Sequence, residues 1–388
     1  MKYDFDKIID RSGTNSVKYD LRRAYFKHKD VIPLWVADMD FETPDFIIDA
    51  MQNRLQHPIM GYSIRSREYT RSICTWLQER HNWTVRANEI SFSPGVVPGL
   101  VMATLAFSNP GDSILVQSPV YFPFYITVQE NNRKLVYNPL KETPQGYIID
   151  FDDLEEKLKQ GVKMLMFSNP HNPVGRAWLE GELENLLDLC EQYDVLILSD
   201  EIHADLVFKP NKHTPLASLS KRAAMRTITY MAASKTFNVA GLSTAFVVIQ
   251  NKELMQKYNQ ILEAMHLFAG NIMGAVATKA AFDQGNLWRE QMLDYVSGNI
   301  DFVDEFLKAR LPKISFIRPE ATYLLWLDFR ALGWEQKKLV DFLINKAGVG
   351  LNDGSIFSPG GEGFMRMNVA CPRAILEKAL VQISEAFN

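Results

Sequence analysis

Cysteine is scarce in this chain. Cys74, Cys190 and Cys371 are spread over 388 residues, and no two form a CxxC pair. That spacing argues against a disulfide framework and a structural zinc site, and it suits a reducing compartment. Long apolar runs are missing too, since no continuously apolar stretch reaches the roughly 20 residues of a membrane-spanning helix. The N-terminus, MKYDFDKIIDRSG, is charged and lacks the apolar core of a secretion signal. No polybasic run occurs, and a formal net charge of −4 with a pI near 6.0 gives nucleic acid nothing to hold. Linkers rich in Gly or Ser, low-complexity tracts and internal repeats are also lacking. Together these absences predict a soluble, cytoplasmic protein that binds neither membrane nor nucleic acid.

What is present is an ordinary globular composition, 47% hydrophobic and 23% charged, on a chain long enough for more than one domain. Between about residues 90 and 250, short apolar runs alternate with amphipathic stretches. SILVQSP (113–119), KMLMFSNP (163–170), VLILSDE (195–201), TITYMAAS (227–234) and STAFVVIQ (243–250) each read as a buried strand ending in polar or turn residues. LEGELENLLDLCEQY (179–193) has helical spacing. Such alternation predicts a mainly parallel sheet covered by helices on both faces. Later, Leu293, Val296, Ile300, Val303 and Leu307 recur at 3-4-3-4 spacing, which predicts a long amphipathic helix stopped by Pro312. Beyond it a strand (TYLLWLDF, 322–329) and two helices (335–348 and 373–387) predict a smaller α+β domain. The division expected is an N-terminal arm over 1–45 that is part of the small domain, a large domain over 46–285, and a small domain over 286–388. A helix near 286–310 links the last two.

In open α/β sheets, ligands bind outside the carboxyl ends of the strands. VLILSDEIHAD ends at Asp200, KMLMFSNPHNPVG leads to Asn169 and Asn172, and TITYMAASK ends at Ser234 and Lys235. Ahead of the first core strand, SFSPGVVPGL sets Gly95 before a helix starting near Val96, a junction whose free N–H groups suit a phosphate. Each feature has a plainer reading. A lysine behind a strand is usually solvated. Asp200 alone reads as the cap of the next turn, NPHNPVG as a loop, and His203 as a satisfied core histidine. Asp200, His203 and Asp205 also have the composition of a divalent-metal site. The combined inventory of phosphate seat, carboxylate, amide and lysine fits pyridoxal phosphate.

The series NPHNPVG, SDEIHADL and SKTFNVAGL resembles that of fold type I pyridoxal-phosphate enzymes, the aspartate aminotransferase superfamily. The separations, 200 − 172 = 28 and 235 − 200 = 35 residues, are similar to its pattern. PLWVADMDF (33–41), GYS (61–63), SKTFN and FMRMNVACP (364–372) further resemble the MalY/PatB-type cystathionine β-lyase branch. The resemblance covers nearly the whole chain. It implies a large domain built on a seven-stranded, mainly parallel sheet, plus a smaller α+β domain, assembled as a homodimer.

It also implies roles. Lys235 is the Schiff-base lysine and proton carrier, Asp200 the partner of the pyridine nitrogen, and Asn172 a donor to the phenolic oxygen. Tyr121 corresponds to the aromatic that stacks on the ring, with Phe122 and Phe124 close enough in sequence to be confused with it. Val96 and Val97 N–H groups and Ser234 would hold the phosphate, and Tyr62 would reach it from the other subunit and border the substrate. The arginine that many relatives carry just past the lysine is missing from KTFNVAGLS. His203 stands where many aminotransferases have a tyrosine, and Asn238 is a further neighbour of Lys235. Arg366 corresponds to the arginine that forks the substrate carboxylate, and Asp38, in the ADMD turn (37–40), approaches it through backbone. The branch motifs imply α,β-elimination from L-cystathionine, L-cysteine or related S-substituted cysteines, giving pyruvate, ammonia and a thiol. The alternatives are an L-amino acid aminotransferase, for which Arg65 and Arg67 leave room, and a regulatory, protein-binding role on the same fold.

Overall fold

Apolar runs bounded by turn residues form the main sheet of the protein, whose computed structural model describes residues 2–357 and 359–387. Its seven strands lie in the order Ile90–Ser93, Ala245–Val248, Thr227–Met231, Leu196–Asp200, Val162–Ser168, Ser113–Val116 and Lys134–Tyr137. Ala245–Val248 runs antiparallel to both its neighbours, and the other pairings are parallel.

The central strands are apolar throughout because both of their faces are buried. Leu165, Phe167 and Ile197 pack with Leu154, Leu158, Leu183, Leu186 and Leu187, from helices Phe151–Leu158 and Glu180–Gln192. The alternate residues Met164, Met166 and Leu198 pack on the opposite face with Leu100, Met102, Tyr258 and Leu262, from helices Val96–Phe107 and Lys252–Ala264. Two strands fall outside the sequence expectation, Lys134–Tyr137 and Ile90–Ser93. They are the two edges, short and only partly buried, so they lack the continuous apolar run of the interior strands. The segment placed ahead of the first core strand is therefore itself a strand of the sheet.

The long helix is Asn286–Arg310, with Val296, Ile300, Val303 and Leu307 buried. Beyond it, a four-stranded antiparallel sheet runs in the order Ser315–Phe316, Leu324–Asp328, Phe364–Asn368 and Asn352–Asp353. Helices Gln336–Asn345 and Arg373–Ala386 pack in this region. The N-terminal arm is tied to the same part: after two short helices, Val17–Asp20 and Arg22–Phe26, Ile32–Pro33 pairs in parallel with Val349–Gly350. Among the described residues no helix is long and apolar enough to cross a membrane.

One buried carboxylate joins several of these parts. Asp205 accepts hydrogen bonds from Trp76 Nε1 at 3.0 Å and Thr236 Oγ1 at 3.1 Å, and lies 3.1 Å from His81 Nε2. Burial raises its pKa, but the hydrogen bonds from His81 and Trp76 and the charges of His81 and Arg289 together outweigh burial and hold it at about 2, below the ordinary 3.8. Asp205→Ala leaves these donors buried and unpartnered, so the urea midpoint is expected to fall by the equivalent of about 3 kcal/mol. Because the folded pKa is depressed, the wild-type contribution is present above pH ~4 and is lost as pH falls towards 2. Midpoints measured from neutral to acid pH should converge for the two proteins.

Candidate active site

The strand ends converge on one cavity of about 220 Å³, lined among others by Val96, Val97, Tyr121, Asn172, Asp200, His203, Ser234 and Lys235. At one end is the start of helix Val96–Phe107, which has no side-chain cap. Gly95 before it has φ 147°, a conformation costly for residues with a Cβ. One turn on, Gly99 allows the helix to lie on the sheet, since a Cβ there would sit 2.7 Å from the Tyr230 ring. Both glycines thus aim the free N–H groups at the cavity.

Asp200 ends its strand fully inside, and its Oδ1 accepts the Ile202 N–H at 3.1 Å. It therefore does cap a turn, as the plain reading holds, while also facing the cavity. With that single hydrogen bond to offset desolvation, burial pushes its carboxyl up to about 7. Lys235 occupies the one-turn helix Ala233–Thr236 after strand Thr227–Met231. Burial lowers its amine to about 8, opposed by the charges of Asp38 and Asp200 and reinforced by Arg366. The amine donates to Ala37 O at 2.7 Å. His203 is 4% exposed with no partner on Nδ1, and burial holds it neutral, at about 3.

Arg366 is buried beside Asn172, with its Nη1 donating to Asn172 Oδ1 at 3.1 Å and its Nη2 to Trp35 O at 3.1 Å and to Asn352 Oδ1. Its Nε has no partner, and desolvation lowers its pKa to about 10. Tyr121 lines the cavity, and its backbone N–H donates to Asn172 O at 3.1 Å. Phe122 and Phe124 do not line this cavity.

Asp38 borders an adjoining cleft of about 980 Å³ that also reaches Lys235. Its carboxylate pairs with Arg11 at 2.7 Å, and its carbonyl accepts Asn368 Nδ2 at 2.6 Å. Asn238, at φ 58°, clasps the following residues through Met39 N, Met39 O and Phe41 O. Tyr62 stands apart: it is 106% exposed and lines neither space. Arg65 is also elsewhere, bonded to Phe268 O at 2.7 Å, and Arg67 lines neither space. The metal-like trio is not assembled, because Asp205 turns towards Trp76, His81 and Thr236.

Sequence reasoning passed over four residues at Lys235 or at the turn it meets. Ala37 offers only its carbonyl, and Tyr323 reads as an ordinary core aromatic at the start of a strand. Arg11 and Lys18 lie in an arm with no periodic pattern. Charge could have flagged them, since Lys18 is 0% exposed and pairs with Asp40 at 2.7 Å.

The chain is similar along its length to proteins already known. It is 42% identical to "Cystathionine beta-lyase PatB" of Bacillus subtilis, covering 99% of this chain and 100% of that protein. It is 30% identical to "Protein MalY" of Escherichia coli, covering 99% and 98%. Its fold matches the crystal structure of cystalysin from Treponema denticola, which contains pyridoxal 5′-phosphate, with a TM-score of 0.97 at 33% identity, covering 100% and 99%. The family model "Aminotransferase class I and II" matches residues 29–383. With that match spanning nearly the whole sequence, the chain belongs to the aminotransferase class I and II family.

Proposed function

We propose that this chain is a pyridoxal-phosphate-dependent carbon–sulfur β-lyase acting on L-cystathionine, L-cysteine or a related S-substituted cysteine. The observation that carries this reading is a buried lysine amine, lowered to about 8, in the same cavity as a buried carboxylate and an uncapped helix start. The residues fit the cofactor. Asp200 makes no ion pair among the described residues, feeling Lys235 only through longer-range charge, and suits a pyridinium nitrogen, while the Val96 and Val97 N–H groups and Ser234 suit a phosphate. Asn172 would donate to the phenolic oxygen, Tyr121 would stack on the ring, and His203 would border it.

When bound, pyridoxal phosphate supplies an aldehyde for the lysine or substrate amine and an electron sink for the pair left at Cα. The rest falls to the chain. Arg366 would hold the substrate α-carboxylate, and Asp38 would border it from the adjoining cleft. The Lys235 amine, released by the substrate, would take the α-proton. A thiolate at Cβ then leaves, and one water hydrolyses the released enamine to pyruvate and ammonia. Among the described residues no arginine lines the cavity itself, and Arg11 of the adjoining cleft is paired with Asp38 and Asp40. Neither space therefore offers a free arginine for a side-chain carboxylate, which supports sulfur substrates over an aspartate-type transamination.

In this reading the arm over 1–45 and residues 286–388 make a small domain against the large domain over 46–285, with helix Asn286–Arg310 as the link. The active unit is a homodimer. Ile59, Met60, Tyr62 and Ile64 form an exposed apolar run, and Arg65 ties that run to the exposed Phe268 region. A second copy seated there would bring Tyr62 to its partner's phosphate and substrate. All three cysteines are free, which supports a cytoplasmic location.

Incubation with L-cystathionine, without a keto acid, should give sustained, equimolar pyruvate and homocysteine; a single turnover that ends with the amino group retained on the cofactor would establish a transaminase instead. Lys235→Ala should lose the yellow absorbance that borohydride fixes to the protein, and turnover should fall at least about 1,000-fold. Since the free amine titrates near 8, cofactor capture by the unloaded chain should quicken as pH rises and level off above about 8. Tyr62→Phe should leave the dimer intact by light scattering while weakening cofactor retention about tenfold, the loss of one charge-assisted hydrogen bond.

A further inference from the structure

One carbonyl beside the cavity receives two donors. Ala37 O accepts the Lys235 amine at 2.7 Å and the Tyr323 hydroxyl at 3.0 Å. A carbonyl oxygen has two lone pairs, so the two donors saturate it. Tyr323 is 1% exposed, and its ring meets His203 edge-on with centroids 6.4 Å apart. The peptide itself is clamped, because Asn368 Nδ2 donates to the carbonyl on either side, Val36 O at 2.7 Å and Asp38 O at 2.6 Å. Lys18 Nζ adds a contact to Asp38 O at 3.3 Å.

An amine on a flexible four-carbon stem needs a fixed partner if it is to wait at one place. An undivided carbonyl, however, would favour the ammonium form and leave a poor base. Sharing the oxygen with a hydroxyl meets both needs. We infer that the Ala37 carbonyl is the docking point of the Lys235 amine whenever that amine is free of the cofactor. Tyr323 is the positioning residue that fixes this carbonyl and limits its grip. The inference rests on Lys235 being the cofactor lysine, as proposed above.

The test uses the loaded enzyme with L-alanine in D2O, following exchange of the Cα proton by NMR as a function of pH. Alanine has no leaving group at Cβ, so exchange reports proton transfer without elimination. Tyr323→Phe keeps the ring and gives the carbonyl wholly to the amine. The ammonium form then persists to higher pH, so the acid limb of the profile is expected to move up by about 0.5–1 pH unit. The plateau should fall about fivefold while half-saturation by alanine stays within about twofold. A ring-fluorinated tyrosine at position 323, a stronger donor, should move the limb the other way. An unmoved limb, or equal loss at every pH as from a loosened fold, overturns the inference. Borohydride fixation and peptide mass separate the two readings: attachment at Lys235 with an unmoved limb removes this inference and leaves Lys235 as the cofactor lysine, whereas attachment at another lysine removes both.

Discussion

The cavity around Lys235 depends on how one short turn, residues 36–41, is held. Its backbone is gripped by Asn368 from the small sheet, Asn238 from the loop after Lys235, and Lys18 and Arg11 from the arm. The cost of burying so many polar groups is offset only because nearly every donor finds a carbonyl or carboxylate. Arg11 bridges Asp38 and Asp40, and the fully buried Lys18 shares Asp40. A pair of charges taken out of water gains little net stability. Its value here is geometric, since the pairing leaves the turn one place to sit, against the lysine.

The electrostatics follow from the same enclosure. Lys235, Asp200 and His203 line one cavity with Arg366 buried beside it, and in each case burial is the largest influence on the proton. Burial disfavours every charged form, so it pulls the amine down and the carboxyl up until both titrate near neutrality. The partners then correct locally. Asp38 and Asp200 favour the lysine's charge, while Arg366 opposes it.

Much of this was legible in the sequence where it is written in short range. The interior strands, the long helix and the polar residues at strand ends follow from apolar runs and their punctuation. Lys235, Asp200, Asn172 and Tyr121 meet in one cavity because the topology brings strand ends together. The edge strands Ile90–Ser93 and Lys134–Tyr137 escaped because half-buried edges carry a weak pattern. Tyr323 escaped for a different reason, since a tyrosine opening a strand resembles core and its role lies in one hydroxyl. Ala37 contributes a backbone atom, which no residue type encodes.

The clamp on the turn also carries a temporal meaning. Asn368 grips Val36 and Asp38 across 332 and 330 residues, nearly the length of the chain. Contacts so distant in sequence form late, after the loops between them have closed. On a ribosome, the arm and the turn emerge some 330 residues before the strand Phe364–Asn368. The large sheet can therefore be complete while its lysine still faces an unfixed turn, and the cavity takes its full shape only with the strand Phe364–Asn368. Synthesis thus leaves the Lys235 amine without its fixed turn until that strand has emerged.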